Sequence, residues 1–362
     1  MDITRLLALS IKKGASDLHL SAGLPPILRI DGDLVRMDLP VLRSEQVDEL
    51  VHEVLNEAQI KALRDGVEID FSFEIPDVAR FRANVFKQHR GEAAVFRTIP
   101  SAIPTLHELG LGEIFKNLAL LPRGLVLITG PTGSGKSSTQ AAMVDYINKN
   151  RSYHILTIED PIEFVHESKK CLINQREVGR DTQRFSHALR SALREDPDVV
   201  VVGEMRDLET MRLALTAAET GHLVFATLHT TSAALTINRI IDVFPAEEKD
   251  MVRSMLSDSL QAVVTQTLLK KVGGGRIAAH EIMIGTPAVR NLIREDKVAQ
   301  IYSVIQTGSS LQMKTLDQSL STLVDEGVIS LETAREKAVS PKHISKDERN
   351  NYSLPSFPEF PK

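Results

Sequence analysis

Residues 130 to 137 read Gly130-Pro131-Thr132-Gly133-Ser134-Gly135-Lys136-Ser137, a full match to G-x-x-x-x-G-K-[ST], and the apolar run Leu125 to Ile128 precedes them. This pattern holds nucleotide phosphates for a mechanical reason. Its glycines let successive backbone N–H groups converge on one anion, Lys136 has the reach for the β and γ phosphates, and Ser137 offers a hydroxyl to Mg²⁺. A helix is expected from Lys136 to about Asn148, with Ser138 in its first turn, so that its positive end faces the same phosphates.

Hydrolysis asks for more: a carboxylate near the metal and a group that orients water. Asp198-Val199-Val200-Val201-Val202-Gly203-Glu204 is an apolar strand that delivers Glu204 at its exposed end, where it could hold Mg²⁺ directly or through water. Ile158-Glu159-Asp160-Pro161-Ile162-Glu163 follows another strand and crowds Glu159, Asp160 and Glu163 together, with Pro161 stiffening the turn. Such crowding suits a cation or an attacking water, although by itself it reads equally as a solvated acidic turn. Gly221 to Thr230 places His222 and His229 at opposite ends of a strand. A neutral imidazole could donate to a γ-phosphate, and Thr227 and Thr230 could add hydroxyl contacts. His229 is the stronger candidate, because sheets of this kind bind ligands at their carboxyl ends.

Positioning these groups requires a parallel sheet covered on both faces. From about Leu106 to His280 the chain alternates apolar strands and helices, and the expected core strands are Leu125 to Thr129, His154 to Ile158, Val199 to Val202 and Leu223 to Thr227. Gly273-Gly274-Gly275 suits a hairpin tip before a last strand at Ala278 to Ile284. The first hundred residues form a separate mixed α/β unit: a helix at Ile3 to Lys12, short strands from Asp17 to Val35, one helix from Ser44 to about Leu63, then strands at Asp70 to Glu74, Ala79 to Lys87 and Glu92 to Ile99. The proline-marked stretch 100–105 separates the units. The organisation expected is residues 1–100, a linker 101–113, an ATPase core 114–285, a helical part 286–344 and a disordered tail 345–362.

Lys and Arg number 43 against 48 Asp and Glu, so no general attraction to nucleic acid or an anionic membrane is expected. No apolar run approaches the ~20 residues that span a bilayer, and the N-terminus carries no visible export signal. A single cysteine, Cys171, excludes an intramolecular disulfide and a Cys-rich zinc site, which fits a reducing cytoplasm.

The phosphate loop, the acidic block, the Glu204 strand and the two-histidine block, in that order, resemble the signature of the secretion ATPases of the type II/type IV pilus class. Ala288-Val289-Arg290-Asn291-Leu292-Ile293-Arg294-Glu295 is similar to a helix found in the type IV pilus retraction ATPases, the PilT family. Residue by residue, the resemblance implies that Lys136 and Ser137 hold the phosphates and Mg²⁺ of ATP, Glu204 is the Walker B acid, Glu163 is the base or water-orienting group, and His222 and His229 are the histidine-box pair. It implies an N-terminal PAS-like domain and a C-terminal RecA-like domain with ATP between them. It also implies a homohexamer at the cytoplasmic face of the inner membrane, acting on a platform protein of the pilus, in some cases beside a paralogous retraction ATPase. Arginines of the N-terminal domain reach the phosphates in this family. Here the candidates are Arg80, Arg82 and Arg97, and strand alternation puts Arg80 and Arg82 on one face. Ser138, Gln140 and Ala226 depart from the usual family residues.

Four other readings stay open on sequence grounds. Pilus-extension and type II secretion relatives generally carry an extra N-terminal region and a four-cysteine zinc site, which one cysteine cannot build. A DNA-transfer ATPase is disfavoured by the acidic balance and 4% aromatic content, too little for base stacking. An accessory motor, or a switch that turns over slowly, differs only in behaviour.

Overall fold

The computed structural model describes residues 2–76, 78–99 and 102–345; residues 100 and 101, where the expected linker begins, and all of the expected tail but Ser345 lie outside the described residues. The N-terminal unit opens with α1 (Ile3–Lys12), started by Asp2, whose side chain accepts from the Arg5 N–H, and burying Ile3, Leu6 and Leu7 on one face. Three short strands follow, β1 (Asp17–Ser21), β2 (Ile27–Ile30) and β3 (Asp33–Arg36), then α2 (Ser44–His52) and α3 (Glu57–Arg64). The single helix expected from Ser44 to Leu63 is therefore two. Asn56 stops continuation by accepting from the Gln59 N–H while the Gln59 side chain accepts from the Asn56 N–H, a reciprocal cap that nucleates a new helix.

Strands β4 (Ile69–Ile75), β5 (Ala79–Gln88) and β6 (Gly91–Ile99) complete an antiparallel sheet in the order β3-β2-β1-β6-β5-β4. One face carries Leu18, Leu20, Phe81, Ala83, Val85 and Phe96 and is roofed by the helices, forming a core of its own. The alternation that buries those side chains turns Asp17, Arg80, Arg82 and Arg97 to the other face. Register aligns Ser72, Arg82, Arg97, Asp17 and Arg29 in one row across five strands.

After α4 (Glu113–Ala119) the second unit alternates strand and helix: β7 (Gly124–Thr129), α5 (Lys136–Asn150), β8 (His154–Glu159), β9 (Leu172–Glu177), α6 (Phe185–Ala192), β10 (Val199–Val202), α7 (Leu208–Glu219), β11 (Leu223–Leu228), α8 (Ala233–Asp242), α9 (Lys249–Ser259), β12 (Leu260–Lys270) and β13 (Arg276–Ile284). The sheet order is β13-β12-β7-β11-β10-β8-β9, parallel except for β13. The four core strands read from sequence are present. The pattern did not reveal β9, an edge strand of mixed burial, or β12, whose apolar run fits helix as well as strand. Leu125 to Ile128 and all of β10 are buried, as strands covered on both faces require.

Because these strands are parallel, β7, β8, β9, β10 and β11 present their last residues at one edge, and β12 runs past that edge into a hairpin with β13. Beyond the sheet, α10 (Pro287–Arg294) and α11 (Ile301–Thr307) pack near α9, while α12 (Leu316–Asp325) and α13 (Leu331–Lys337) cover the far part of the hairpin through Leu269, Ala279, Leu320 and Ile329.

Candidate active site

The phosphate loop leaves β7 at its buried end and enters α5 at Lys136. Gly130 has φ 139°, and a Cβ there would meet the Gln266 carbonyl oxygen at 2.2 Å; Gly135 has φ 87°, and its Cβ would meet Gln266 Nε2 at 2.8 Å. Only glycine fits both positions. Gln266, on β12 and buried, also spends its whole amide on the loop: Nε2 donates to the Ser134 carbonyl at 2.6 Å, and Oε1 accepts from Thr139 Oγ1 at 2.8 Å. This brace comes from a strand more than a hundred residues downstream, so no local motif announces it.

Lys136 is buried, and its Nζ donates to the carbonyls of Gly130 at 2.9 Å and Pro131 at 3.1 Å. It also meets His229 Nδ1 at 3.4 Å, while His229 Nε2 lies 3.1 Å from Glu204 Oε1. With an ammonium on one side and a carboxylate on the other, the network assigns the hydrogen to Nε2 and leaves Nδ1 as acceptor. His229 thus joins the loop lysine to the acid at the end of β10. Burial lowers the Lys136 pKa from the usual lysine value against the opposing charges of Glu204 and Glu163. Burial pushes the Glu204 carboxyl up, but Arg206 at 2.8 Å and His229 outweigh it, so Glu204 titrates below the usual glutamate range.

The acidic block separates into distinct situations. Glu159 accepts from Thr157 Oγ1 at 2.7 Å and Gln175 Nε2 at 3.1 Å, and its other oxygen lies 3.4 Å from the Glu163 N–H. Burial nevertheless raises its pKa. Asp160 is exposed, and its charge acts on Arg82 and Arg206. Glu163 is half-buried and close enough to influence both Lys136 and Arg82.

Arg82 belongs to the N-terminal unit, so that influence crosses between units. Asp70 pairs with it at 2.6 Å and its hydrogen bond raises the guanidinium pKa, with Glu163 and Asp160 adding to the effect. Arg80, on the same face, reaches Glu177 on β9 at 3.2 Å. At the opposite end of the N-terminal sheet, Asp33 pairs with Lys270 at the hairpin end of β12 at 2.9 Å. The polar face of the N-terminal sheet is therefore tied at both ends to the carboxyl edge that bears the phosphate loop. Arg97 shares that face but is engaged by buried Asp17 at 2.8 Å.

One expected group falls elsewhere. His222 sits at the amino end of β11, where its Nδ1 contacts the Ala217 carbonyl at 3.0 Å and Thr220 Oγ1 at 3.3 Å. It lines a cavity of about 200 Å³ with Tyr153, Pro197 and Asp198, at the sheet edge opposite the loop. The strand separates the two histidines, so only His229 reaches the site.

Ala288 to Arg294 lie in α10 as expected, with Glu295 at its C-terminal cap, Thr286 as N-terminal cap, Pro287 in the first turn and Val289 and Ile293 buried. Arg290 turns toward the end of α9. Its guanidinium donates to the carbonyls of Ser257 at 2.6 Å and Asp258 at 2.5 Å, satisfying the end of α9, and Arg294 meets Ser257 Oγ and Asp258 Oδ1 at 3.1 Å. Asn291 donates to Glu295 at 2.9 Å on the exposed side, and Leu292 packs at the margin of the core.

The family model described as Type II/IV secretion system protein matches residues 2–274. The chain is 70% identical, over 95% of its length and 100% of the relative's, to the type IV pilus retractation ATPase PilT of Pseudomonas aeruginosa. It is 60% identical, over 88% of its length and 86% of the relative's, to a twitching motility protein of Neisseria gonorrhoeae. Its fold is similar to a crystal structure of the pilus retraction motor PilT with bound ADP: TM-score 0.84 and 51% identity, covering 94% of this chain and 98% of that one.

Proposed function

The chain belongs to the type II/IV secretion system protein family, among its pilus-retraction ATPases, and from that premise we propose that it is a hexameric motor that hydrolyses ATP to withdraw type IV pili. The observation that carries the reading is the convergence at one sheet edge of the phosphate loop, Lys136, His229 and Glu204, with the charge of Glu163 acting on both Lys136 and Arg82 of the N-terminal domain. That is the arrangement hydrolysis needs, and it spans two domains whose relative motion could do work.

The residues take the following roles. The loop from Gly130 to Ser138 cradles the phosphates through its backbone N–H groups, which Pro131 alone lacks, and Lys136 exchanges the carbonyls of Gly130 and Pro131 for phosphate oxygens. His229, released from Lys136, donates from Nε2 or keeps Glu204 oriented. Glu163 accepts the proton of the attacking water or orients it. Arg82 moves from Asp70 toward developing negative charge, and Arg97 is held in reserve by Asp17. Asp160 offers Arg206 an alternative partner to Glu204.

Ser137 and Glu204 are an oxygen-donor pair, and among the described residues no group of three or more His, Cys, Asp or Glu could hold an ion by itself. This fits Mg²⁺, which takes one or two protein oxygens and completes its shell with substrate phosphates and water. When bound it would neutralise charge on the β and γ phosphates. No helix among the described residues is long and apolar enough to cross a membrane. The proposed partner at the inner membrane is the pilus platform protein, in some cells beside a second retraction ATPase.

The test is ATP turnover by the purified full chain. Lys136→Ala is expected to abolish it and Glu204→Ala to reduce it about 100-fold or more. Turnover by Lys136→Ala at the parental rate would refute the site.

A further inference from the structure

Glu177, the last residue of β9, is buried and lies outside the phosphate loop and the acidic block. Its Oε2 is shared. From the N-terminal domain it accepts from Arg80 Nη2 at 3.2 Å and Ser72 Oγ at 3.2 Å; from its own domain it accepts from the Ile162 N–H at 3.1 Å. Oε1 also accepts from Ser72 Oγ at 3.2 Å, and Arg80 Nη2 donates to Ser72 Oγ at 3.0 Å. Ile162 is the residue before Glu163. The remaining neighbours hold Glu177 from behind: Asp181 Oδ2 accepts from its N–H at 2.9 Å, and Arg180 Nη1 lies 4.0 Å from Oε2.

We propose that Glu177 is a positioning residue that couples docking of the N-terminal domain to the orientation of the Glu163 loop. Arg80 and Ser72 hold Oε2 where the Ile162 N–H reaches it; without them the carboxylate turns toward Arg180, 4.0 Å away, and the Ile162 N–H loses its acceptor. Docking therefore fixes the backbone one residue ahead of Glu163, and undocking frees it. A buried carboxylate stripped of its charged partner is costly, so the latch favours two discrete states over a gradual drift. The inference rests on Glu163 being the water-orienting group.

The experiment measures, in the full chain, kcat and KM for ATP and the affinity for a non-hydrolysable ATP analogue. Variants are Glu177→Gln, Arg80→Gln, their double, Ser72→Ala and, as reference, Glu163→Gln. Glu177→Gln is expected to lower kcat about tenfold or more with analogue affinity within about twofold, since only the geometry of attack is lost. Arg80→Gln should fall similarly, and the double variant no further than the worse single, because both remove one interaction. Glu177→Asp, which keeps the charge, should recover part of the rate. If Glu177→Gln does not fold, Arg80→Gln and Ser72→Ala carry the test from the other domain, with kcat expected to fall in both. Parental kcat in Glu177→Gln, or in Arg80→Gln where only that folds, overturns the coupling, as does an additive double variant. Parental kcat in Glu163→Gln instead removes the premise, and the two failures are distinguished by that reference alone.

Discussion

Glu159 and Glu163 stand four positions apart in one acidic block, and their surroundings assign them opposite work. Glu159 spends its oxygens on Thr157, Gln175 and the Glu163 N–H, while Glu163 remains within electrostatic reach of Lys136 and Arg82. Glu163→Gln is expected to cut ATP turnover about 100-fold or more, because a general base contributes that much, whereas Glu159→Gln, which still accepts hydrogen bonds, should stay within about tenfold of the parent. Steady-state kinetics of both decides; the reverse order would move the base to Glu159. Sequence order alone could not separate these acids, since both follow the same strand and only tertiary partners differ. The placement of Lys136, Glu204 and His229 at one sheet edge was legible because a phosphate loop and strand ends fix their direction locally. His222 shared the histidine block with His229, yet the strand between them carries it to the opposite edge.

At the level of elements, β12 is the strand that the apolar pattern left ambiguous and the structure makes indispensable. It flanks β7 in parallel, and Gln266 locks the loop to it. Gln266→Leu keeps the bulk but removes both hydrogen bonds, leaving the Ser134 carbonyl unpaired. It is expected to weaken ATP-analogue binding about tenfold, roughly 1.4 kcal/mol, by calorimetric titration, and unchanged affinity would assign the brace no role. The paired strand β13 carries buried His280, whose ring lies edge-on to Phe115 of α4 at 5.2 Å and whose pKa burial lowers to about 3. The folded state therefore resists a proton that the unfolded chain accepts near pH 6.5. Stability is fully present above that value and falls as pH drops toward 3, by up to about 1.4 kcal/mol per pH unit. Denaturant titrations from neutral pH to about pH 4.5 should show this slope reduced by about one proton in His280→Gln; an unchanged slope would exclude His280 as its source. None of this was readable from the sequence, because His280 sits in a strand whose neighbours come from α4 and the C-terminal helices.

For the whole molecule, two sheets with separate cores are joined, among the described residues, by the pairs of Arg80 and Ser72 with Glu177 and of Asp33 with Lys270, polar links of a kind that suits domains that move against each other. The two α/β units and the parallel sheet of the second were legible from the alternation of apolar strands and helices. Which face of the N-terminal sheet meets the nucleotide edge was not, because alternation gives two faces and only packing under α1 to α3 selects one. The proposed hexamer is tested by light scattering of the 40.0 kDa chain with an ATP analogue, which should give about six times the monomer mass. A monomer under those conditions would contradict the ring. The most direct measurement is the retraction of fluorescently labelled pili in cells from which this gene has been removed, complemented with the intact chain or with Lys136→Ala. ATP-driven withdrawal predicts that the intact chain restores retraction while Lys136→Ala leaves pili extended. Retraction at the same frequency and speed with Lys136→Ala would contradict it.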